Sequence, residues 1–397
     1  MDNEVCEKMK KYIKKLKTAV TIYFSRFINL IFIIFTRLDK NKILFLSDVR
    51  ENLGGNLKEM YDYINDDFKK IVILKRERRV KRSLKEKILL IYHLSTSKYI
   101  LLDDFSNSIS CLILRKNQEV VQLWHGPGAF KKMGYSRSDQ KRGLLSKYRF
   151  HRNYTKAIVT SPDIKWCFKE GFGMKDNAVV GATGYPRTDI FFNDKYKDNT
   201  KKEFYKKYPK LKNKKIILFA PTYRGNSLPT ATYDFDKLDL DKIYKELKKE
   251  YVFIFKWHPA IYNNLKNGTI KDYDLSKYKD FFYDLSEYRD INDLLLVCDT
   301  LITDYSSVIF DYVLLKKPVI YFTYDLNKYE EERGLYFPFK DYIYGSIAKT
   351  TNELIKSIKE RKMYEDERKK FIKKFMISCD GNSTKKTYEF IFKKKKY

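Results

Sequence analysis

The sequence predicts an α/β protein built from two doubly wound parallel sheets, and three observations carry that expectation. Short apolar runs alternate with amphipathic helix-like stretches along most of the chain, as they do where helices cover both faces of a parallel sheet. The series occurs twice, on either side of a lysine-rich connector, KYKDNTKKEFYKKYPKLKNK (195–214). With 397 residues, 43% of them hydrophobic, the chain has material for two domains, each with its own core.

In the first series NKILFLSD (41–48) reads as a buried strand, followed by ENLGGN and the amphipathic LKEMYDYI. KKIVILK (69–75), KYILLDDF (98–105), EVVQLWHG (119–126), KAIVTSPD (156–163) and NAVVGATGYPRTD (177–189) continue it, each stopping at polar or glycine residues. The second series contains KIILFAPTY (215–223), YVFIFKWHP (251–259), TLITDYSS (300–307) and PVIYFTYD (318–325). The expected division is a membrane-associating segment over 1–40, a first domain over 41–192 and a second over 193–397, closed by a C-terminal helix. Two such domains facing each other form a cleft, and ligands of doubly wound sheets sit at the carboxyl ends of the strands.

The N-terminus needs separate treatment. AVTIYFSRFINLIFIIFTRL (19–38) is apolar but interrupted by Arg26 and Asn29, which makes it a poor spanning helix. With KKYIKKLK before it, it reads as an amphipathic helix in a membrane interface, its lysines near anionic headgroups. A helix packed on the body of the protein fits the same residues. No signal-peptide cleavage pattern follows the run.

The formal charge of +30 calls for polyanionic company, such as nucleic acid, anionic lipid or a phosphate-rich substrate. Part of it is compositional, since Lys, Ile, Asn, Tyr and Phe rise together in AT-rich genomes. The five cysteines are scattered, without a CxxC pair, which argues against a zinc site and a disulfide framework and fits a reducing cytoplasm. Zinc-finger, RNP-type and helix-turn-helix signatures are missing, so nucleic-acid binding has only the charge in its favour.

Three loops at predicted strand ends carry unusual residues. VVQLWHGPG runs into His125, and FIFKWHPA into Lys256 and His258. In LITDYSSVIFDY, a strand ends at Thr303-Asp304, and Ser306-Ser307 open a helix whose first N–H groups would bind phosphate. An ordinary capped helix accounts for the last loop equally well. Two histidines placed alike in two domains are harder to assign to structure than one. Of the other two, His93 reads as core or helix surface, and His151 stays open. YDFDKLDLDKIY (233–244) has two DxD triplets, but these precede a helix-like stretch, where acids are favoured, so no metal site is expected. Lys131 to Lys156 holds nine Lys or Arg against Asp139 alone, a basic strip facing anionic lipid or polymer, or a solvated loop.

QLWHGPGAFKKMG, LFAPTYRGN, FKWHP, the run TDYSSVIFDYVLLKKPVIYFTYDLNKYEEERGLYFPF and CDGNSTKK together resemble the CDP-glycerol glycerophosphotransferase family. The match runs in order from about residue 41 to the C-terminus. It implies a GT-B-like pair of Rossmann-type domains at the cytoplasmic membrane face, 41–192 on the acceptor side and 193–397 binding the nucleotide donor. The implied reaction is transfer of glycerol phosphate, or a related polyol phosphate, from CDP-glycerol or CDP-ribitol to a hydroxyl of a lipid-linked acceptor in teichoic-acid-type synthesis, with release of CMP. Two departures bear on acceptor preference: WHGPG stands where WHGTP is usual, and Lys256 stands where an arginine is common. The chain is shorter than the long polymerases, so priming or single-unit addition is expected on a par with polymerisation.

On that resemblance His125 is the general base, with Gly54, Gly55, Gly126, Lys131 and Lys132 on the acceptor side. His258 donates to the transferring phosphate or leaving group. Thr303, Ser306 and Ser307 hold the diphosphate, Arg224 and Lys256 add charge, and Asp304, Asp311 and Glu331 orient the nucleotide. No cofactor, metal or nucleic acid is expected, while an anionic membrane surface is, and a homo-oligomer is compatible. The rivals are a GT-B nucleotide-sugar transferase or epimerase, and a basic nucleic-acid-binding protein.

Overall fold

A computed structural model describes residues 3–75, 82–137, 151–225, 228–271, 274–288 and 290–393. The chain forms two compact units. One comprises Met1–His125, Lys132–Arg187 and Asn382–Tyr397; the other comprises Gly126–Lys131 and Thr188–Gly381. The crossing falls at residues 187/188, five residues before the expected boundary. The structure departs from the expected division in two further ways. The short segment after His125 belongs to the second unit, and the C-terminal helix Ser383–Phe392 belongs to the first.

The first unit holds a six-stranded parallel sheet of β1 (Asp39–Leu46), β2 (Lys69–Ile73), β3 (Ser97–Leu102), β4 (Glu119–Gln122), β5 (Lys156–Ile158) and β6 (Val179–Gly181). Its order is β2-β1-β3-β4-β5-β6, with Phe45 opposite Val72 and Leu101. The chain therefore reverses direction between β1 and β3, the place where doubly wound sheets open a crevice at their strand ends. Ile43, Phe45, Leu101 and Val121 point into one core, packed against Leu57 and Met60 of α2 (Gly55–Tyr63). The C-terminal helix completes that core with Phe390 and Ile391, 4% and 2% exposed. Its carbonyls at Phe390 and Ile391 accept hydrogen bonds from Lys156 Nζ at 3.1 and 3.0 Å, a cation at a helix C-terminus.

The N-terminal helix, α1 (Asn3–Phe35), belongs to this unit and packs on α3 (Leu84–Thr96). The two polar residues that interrupt its apolar run dock it. Asn29, 1% exposed, donates to Ser95 Oγ at 2.8 Å and accepts from Ile113 N–H at 2.9 Å. Arg26 donates to Cys111 O at 2.9 Å, and Arg115 takes the final carbonyls of Phe32, Ile33 and Thr36. Ile22, Arg26 and Asn29 recur at helical spacing on one face, while Phe27 and Ile34 lie on the opposite face and are exposed.

The second unit repeats the arrangement with β7 (Lys215–Phe219), β8 (Tyr251–Phe255), β9 (Phe282–Asp284), β10 (Thr300–Thr303), β11 (Val319–Phe322) and β12 (Ser346–Ala348). The order is β12-β11-β10-β7-β8-β9, all parallel, with the reversal between β7 and β10. Its core is aromatic: Phe219, Phe253, Phe255 and Trp257 are nearly fully buried, and the Phe255 and Trp257 rings stack at 5.3 Å. The edge strands β9 and β12, three residues each, are too short to show as apolar runs. The lysine-rich connector is largely a helix, Asp194–Lys207, capped by the Asn193 side chain on Tyr196 N–H and anchored by buried Phe204. In the acidic string, Asp239 caps the helix Leu240–Leu247 by accepting from Lys242 N–H at 2.9 Å.

The C-terminal helix gives a direct test of this division. Phe390→Ala should lower the stability of the first unit by about 3–5 kcal/mol, the cost of emptying a large aromatic site. Chemical denaturation followed through a probe in that unit reads it. A loss under about 1 kcal/mol would mean that the helix is dispensable to the core.

Candidate active site

At the sheet reversal of the first unit, Asp103 and Asp104 follow β3, and Leu123-Trp124-His125 follow β4. His125 Nδ1 lies 3.1 Å from Asp104 Oδ2; the imidazole is 46% exposed and the carboxylate 22%. Donation from Nδ1–H to that carboxylate makes Nε2 the basic nitrogen of the neutral ring. Burial pushes the Asp104 carboxyl up, but His125 and the Phe105 N–H outweigh it and hold the group below its usual range. The carboxylate is thus charged at neutral pH.

The backbone beneath the histidine is unusual and heavily restrained. Trp124 sits at φ +55°, a left-handed conformation costly for a bulky residue. Gln122 Oε1 accepts from Trp124 N–H at 3.0 Å, while Gln122 Nε2 donates to Asp104 O at 3.0 Å. Asn56, 2% exposed, donates to the carbonyls of Leu123 and Trp124 at 3.0 and 2.9 Å. Its own Oδ1 accepts from Arg187 N–H at 3.0 Å. The Trp124 indole then lies against the rings of His125, His151 and Phe172. His151 is a buried member of this aromatic group, its Nδ1 3.0 Å from Tyr154 Oη.

The expected acceptor-side residues fall in different places. Gly54 and Gly55 open α2, and Gly55 adopts φ +54°. A Cβ on either would stand 3.1–3.2 Å from the Arg50 guanidinium, which itself pairs with Asp103 at 2.9 Å. These glycines therefore make room for an arginine at the strand ends. Lys132 is exposed in the first unit. Of the basic strip, Lys141, Arg142, Lys147 and Arg149 lie outside the described residues, and Lys156 is committed to Glu119 and the C-terminal helix.

Residues Gly126–Lys131 are built into the second unit. Gly128 has φ +68°, and a Cβ there would meet the Phe310 ring at 2.2 Å, so only glycine fits. Tyr342 Oη donates to Ala129 O at 2.6 Å, Tyr336 N–H donates to Phe130 O at 3.1 Å, and Lys131 bridges to Leu335.

His258 follows β8 and caps the helix Pro259–Lys266, its Nδ1 accepting from Ala260 N–H at 3.1 Å. That acceptor role places the ring proton on Nε2, the reverse of the tautomer at His125. Burial, then the charges of Lys131 and Lys256, lower its pKa to about 4, so it is neutral at pH 7. Lys256 donates to the carbonyls of Ser286 and Tyr288 at 2.6 and 2.9 Å, fixing the loop beneath.

At the β7/β10 reversal, Asp304 is fully buried and accepts from Thr222 N–H, Thr222 Oγ1 and Tyr305 N–H. Arg224 donates to Asp304 at 2.9 Å and forks onto Asp325 at 2.6 and 3.0 Å. Burial works against its charge, but the two carboxylates outweigh it and keep the guanidinium protonated. Arg224 and Asp304 hold strand ends together here. Thr303 Oγ1 is likewise occupied, donating to Ala220 O at 2.7 Å. Ser306 and Ser307 are partly exposed, but the helix after them, Val308–Tyr312, has only five residues and a correspondingly small dipole. Asp311 is buried and Glu331 is exposed on the helix Leu326–Arg333.

Sequence reasoning missed Asn56, Asp104, Gln122 and Asp325. Asp104 and Asp325 had an available signal: each closes an apolar run, KYILLDDF and PVIYFTYD, at the end where parallel strands present ligand contacts. Asn56 and Gln122 had none, because only the folded loop shows which carbonyls and N–H groups need partners.

Three of the four histidines carry a depressed pKa, which fixes the sign of the pH dependence. His93, His151 and His258 are each lowered to about 4, with burial the largest cause. Between pH 4 and 6.5 the unfolded chain binds more protons, so stability is complete above about 6.5 and lost as pH falls. At pH 5 the buried His151 alone should cost about 2 kcal/mol. His151→Phe should flatten that acid slope of melting temperature; an unchanged slope would show that His151 is not held neutral.

The family model for CDP-glycerol:poly(glycerophosphate) glycerophosphotransferases matches residues 28–393. The chain is 43% identical over 386 residues to a teichoic acid poly(ribitol-phosphate) polymerase of Bacillus spizizenii, covering 96% of this chain and 60% of that protein. It is 33% identical to a teichoic acid ribitol-phosphate primase of the same organism, covering 88% and 90% respectively. The chain thus spans about three fifths of the first relative's length and nine tenths of the second's. Among solved structures, a variant of the wall teichoic acid polymerase TagF superposes with TM-score 0.75 over 98% of this chain and 97% of that one, at 24% identity. With the family match running over nearly the whole chain and relatives 33–43% identical beside it, the chain belongs to the CDP-glycerol:poly(glycerophosphate) glycerophosphotransferase family.

Proposed function

We propose that this protein transfers a polyol phosphate from a CDP-polyol to a hydroxyl of a lipid-linked acceptor and releases CMP. The observation that carries the reading is the pair of strand-end imidazoles with opposite tautomers, one presenting a basic Nε2 and the other an Nε2–H. The acceptor oxygen attacks the β-phosphorus, the bond from that phosphorus to the bridging oxygen breaks, and CMP leaves with the electron pair. His125 Nε2 takes the hydroxyl proton, and charged Asp104 steadies the imidazolium that forms. His258 Nε2–H donates to a phosphoryl oxygen of the donor, with the positive charge of Lys131 beside it. The partly exposed hydroxyls of Ser306 and Ser307 supply further donors to the diphosphate. Phosphoryl transfer of this kind depends mainly on positioning and charge stabilisation.

For the donor we favour ribitol. The relatives named for ribitol-phosphate polymerases match at 43, 36 and 37% identity, those named for glycerol phosphate at 33% or less. The exposed apolar face of α1 lies on the membrane surface, where the acceptor lipid resides.

Incubation with CDP-ribitol, CDP-glycerol and UDP-sugars in the presence of a lipid-linked acceptor should release CMP, fastest from CDP-ribitol. Release of UDP in its place would favour a sugar transferase and sink the proposal. His125→Ala should lower turnover by about 10²–10⁴-fold, the usual contribution of a general base. Asp104→Asn should lower kcat and alter the acid limb of its pH profile with little change in donor KM; near-normal kinetics in either variant would remove that residue from the mechanism. Membrane attachment is read separately. Phe27→Asp with Ile34→Asp should release the protein from anionic vesicles, and undiminished binding would exclude α1 as the contact.

A further inference from the structure

Beside the docked face of α1 the first unit contains a groove of about 940 Å³. One wall is the N-terminal half of α1; the other is formed by α3 and α4 (Asn107–Ser110). Its volume is within the range of pockets that enclose a whole ligand. Ile22 lies in its lining, and further along α1 Arg26 and Asn29 dock the helix on the body.

The lining has two features that do not fit water as its natural content. Ile13, Val20, Phe24 and Leu84 leave substantial apolar surface open on its sides, above Leu90 and Ile91. Around them stand Lys10, Lys14 and Lys17 from α1, and Arg82 and Lys87 from the opposite wall. Arg82 pairs with Asp48 at 3.1 Å, but no carboxylate is among the described lining residues. Lysines therefore stand on both walls of an apolar trough, Lys10, Lys14 and Lys17 on one and Lys87 on the other, a lining that complements an anion with an apolar body.

We infer that this groove binds one molecule of an anionic diacyl phospholipid, its acyl chains on the apolar walls and its phosphate among the lysines. The inference rests on the membrane reading above only for the source of the lipid, since the groove's chemistry stands without a bilayer. Bound there, the lipid would join the lysine-bearing half of α1 to α3 through its phosphate, extending the packing that Arg26 and Asn29 begin.

The test uses the full chain and lipid below its micelle concentration. Isothermal titration with dihexanoyl phosphatidylglycerol should show one saturable site per chain. Dihexanoyl phosphatidylcholine should bind at least tenfold more weakly, and glycerol phosphate should show no saturable binding. Lys14→Glu with Lys17→Glu, both at exposed positions, should weaken the phosphatidylglycerol affinity tenfold or more. Equal affinity for the two phospholipids, or an unchanged affinity in the lysine variant, would overturn the inference. So would tighter, competitive binding by a short-chain polyprenyl diphosphate, which would assign the groove to the acceptor lipid. Phe27 and Ile34 do not line the groove, so Phe27→Asp with Ile34→Asp should leave monomeric lipid binding intact. Failure of vesicle attachment and failure of the groove are thereby read apart.

Discussion

Carboxylates placed at the ends of parallel strands, and the groups that neutralise them, organise both units. A buried carboxylate without a partner would be destabilising, so each one dictates what must surround it. In the second unit Asp304 gathers Thr222, the Tyr305 N–H and Arg224, and Arg224 in turn reaches Asp325. In the first unit Asp103 takes Arg50, and Asp104 takes His125. The difference is chemical: Arg224 is consumed by its partners, whereas a histidine held at one nitrogen keeps the other for a proton. One structural device thus yields a clamp in one unit and an oriented, partly exposed imidazole in the other.

The tautomers follow from that difference. His125 receives its orientation from a carboxylate, which occupies Nδ1–H and leaves Nε2 as the ring's acceptor. His258 receives its orientation from a backbone N–H, which occupies Nδ1 and disfavours protonation, and two nearby ammonium groups push the same way. A ring so placed serves as a hydrogen-bond donor at neutral pH and not as a proton reservoir. The strained φ of Trp124 belongs to the same arrangement: Gln122 and Asn56 together occupy the N–H and both carbonyls that an ordinary turn would leave to water.

The sequence made the sheets legible because buried parallel strands are continuous apolar runs bounded by polar residues. Ten of the strands stand out in this way, whereas β9 and β12, FYD and SIA, are too short to carry a period. Both histidines were visible because strand ends are visible. The internal partners of Arg224 and Thr303 were not, since a cation or hydroxyl near a strand end looks the same in sequence whatever it meets. The C-terminal helix was placed in the wrong unit for a related reason: Phe390 and Ile391 mark a buried face, but nothing local states which sheet it covers.

Arg26 and Asn29 show how a polar interruption acquires meaning only in context. Along an isolated run they weaken a spanning helix, and that much the sequence expressed. In the fold they point inward, where Asn29 satisfies Ser95 and Ile113 and Arg26 meets Cys111, so they set the rotation of α1 about its own axis. Once that rotation is fixed, Phe27 and Ile34 can only point outward, 61% and 71% exposed. A fully apolar helix would have no such preference and could present any face to the body. The residues that interrupt the apolar run are therefore the ones that define which face of α1 is left exposed.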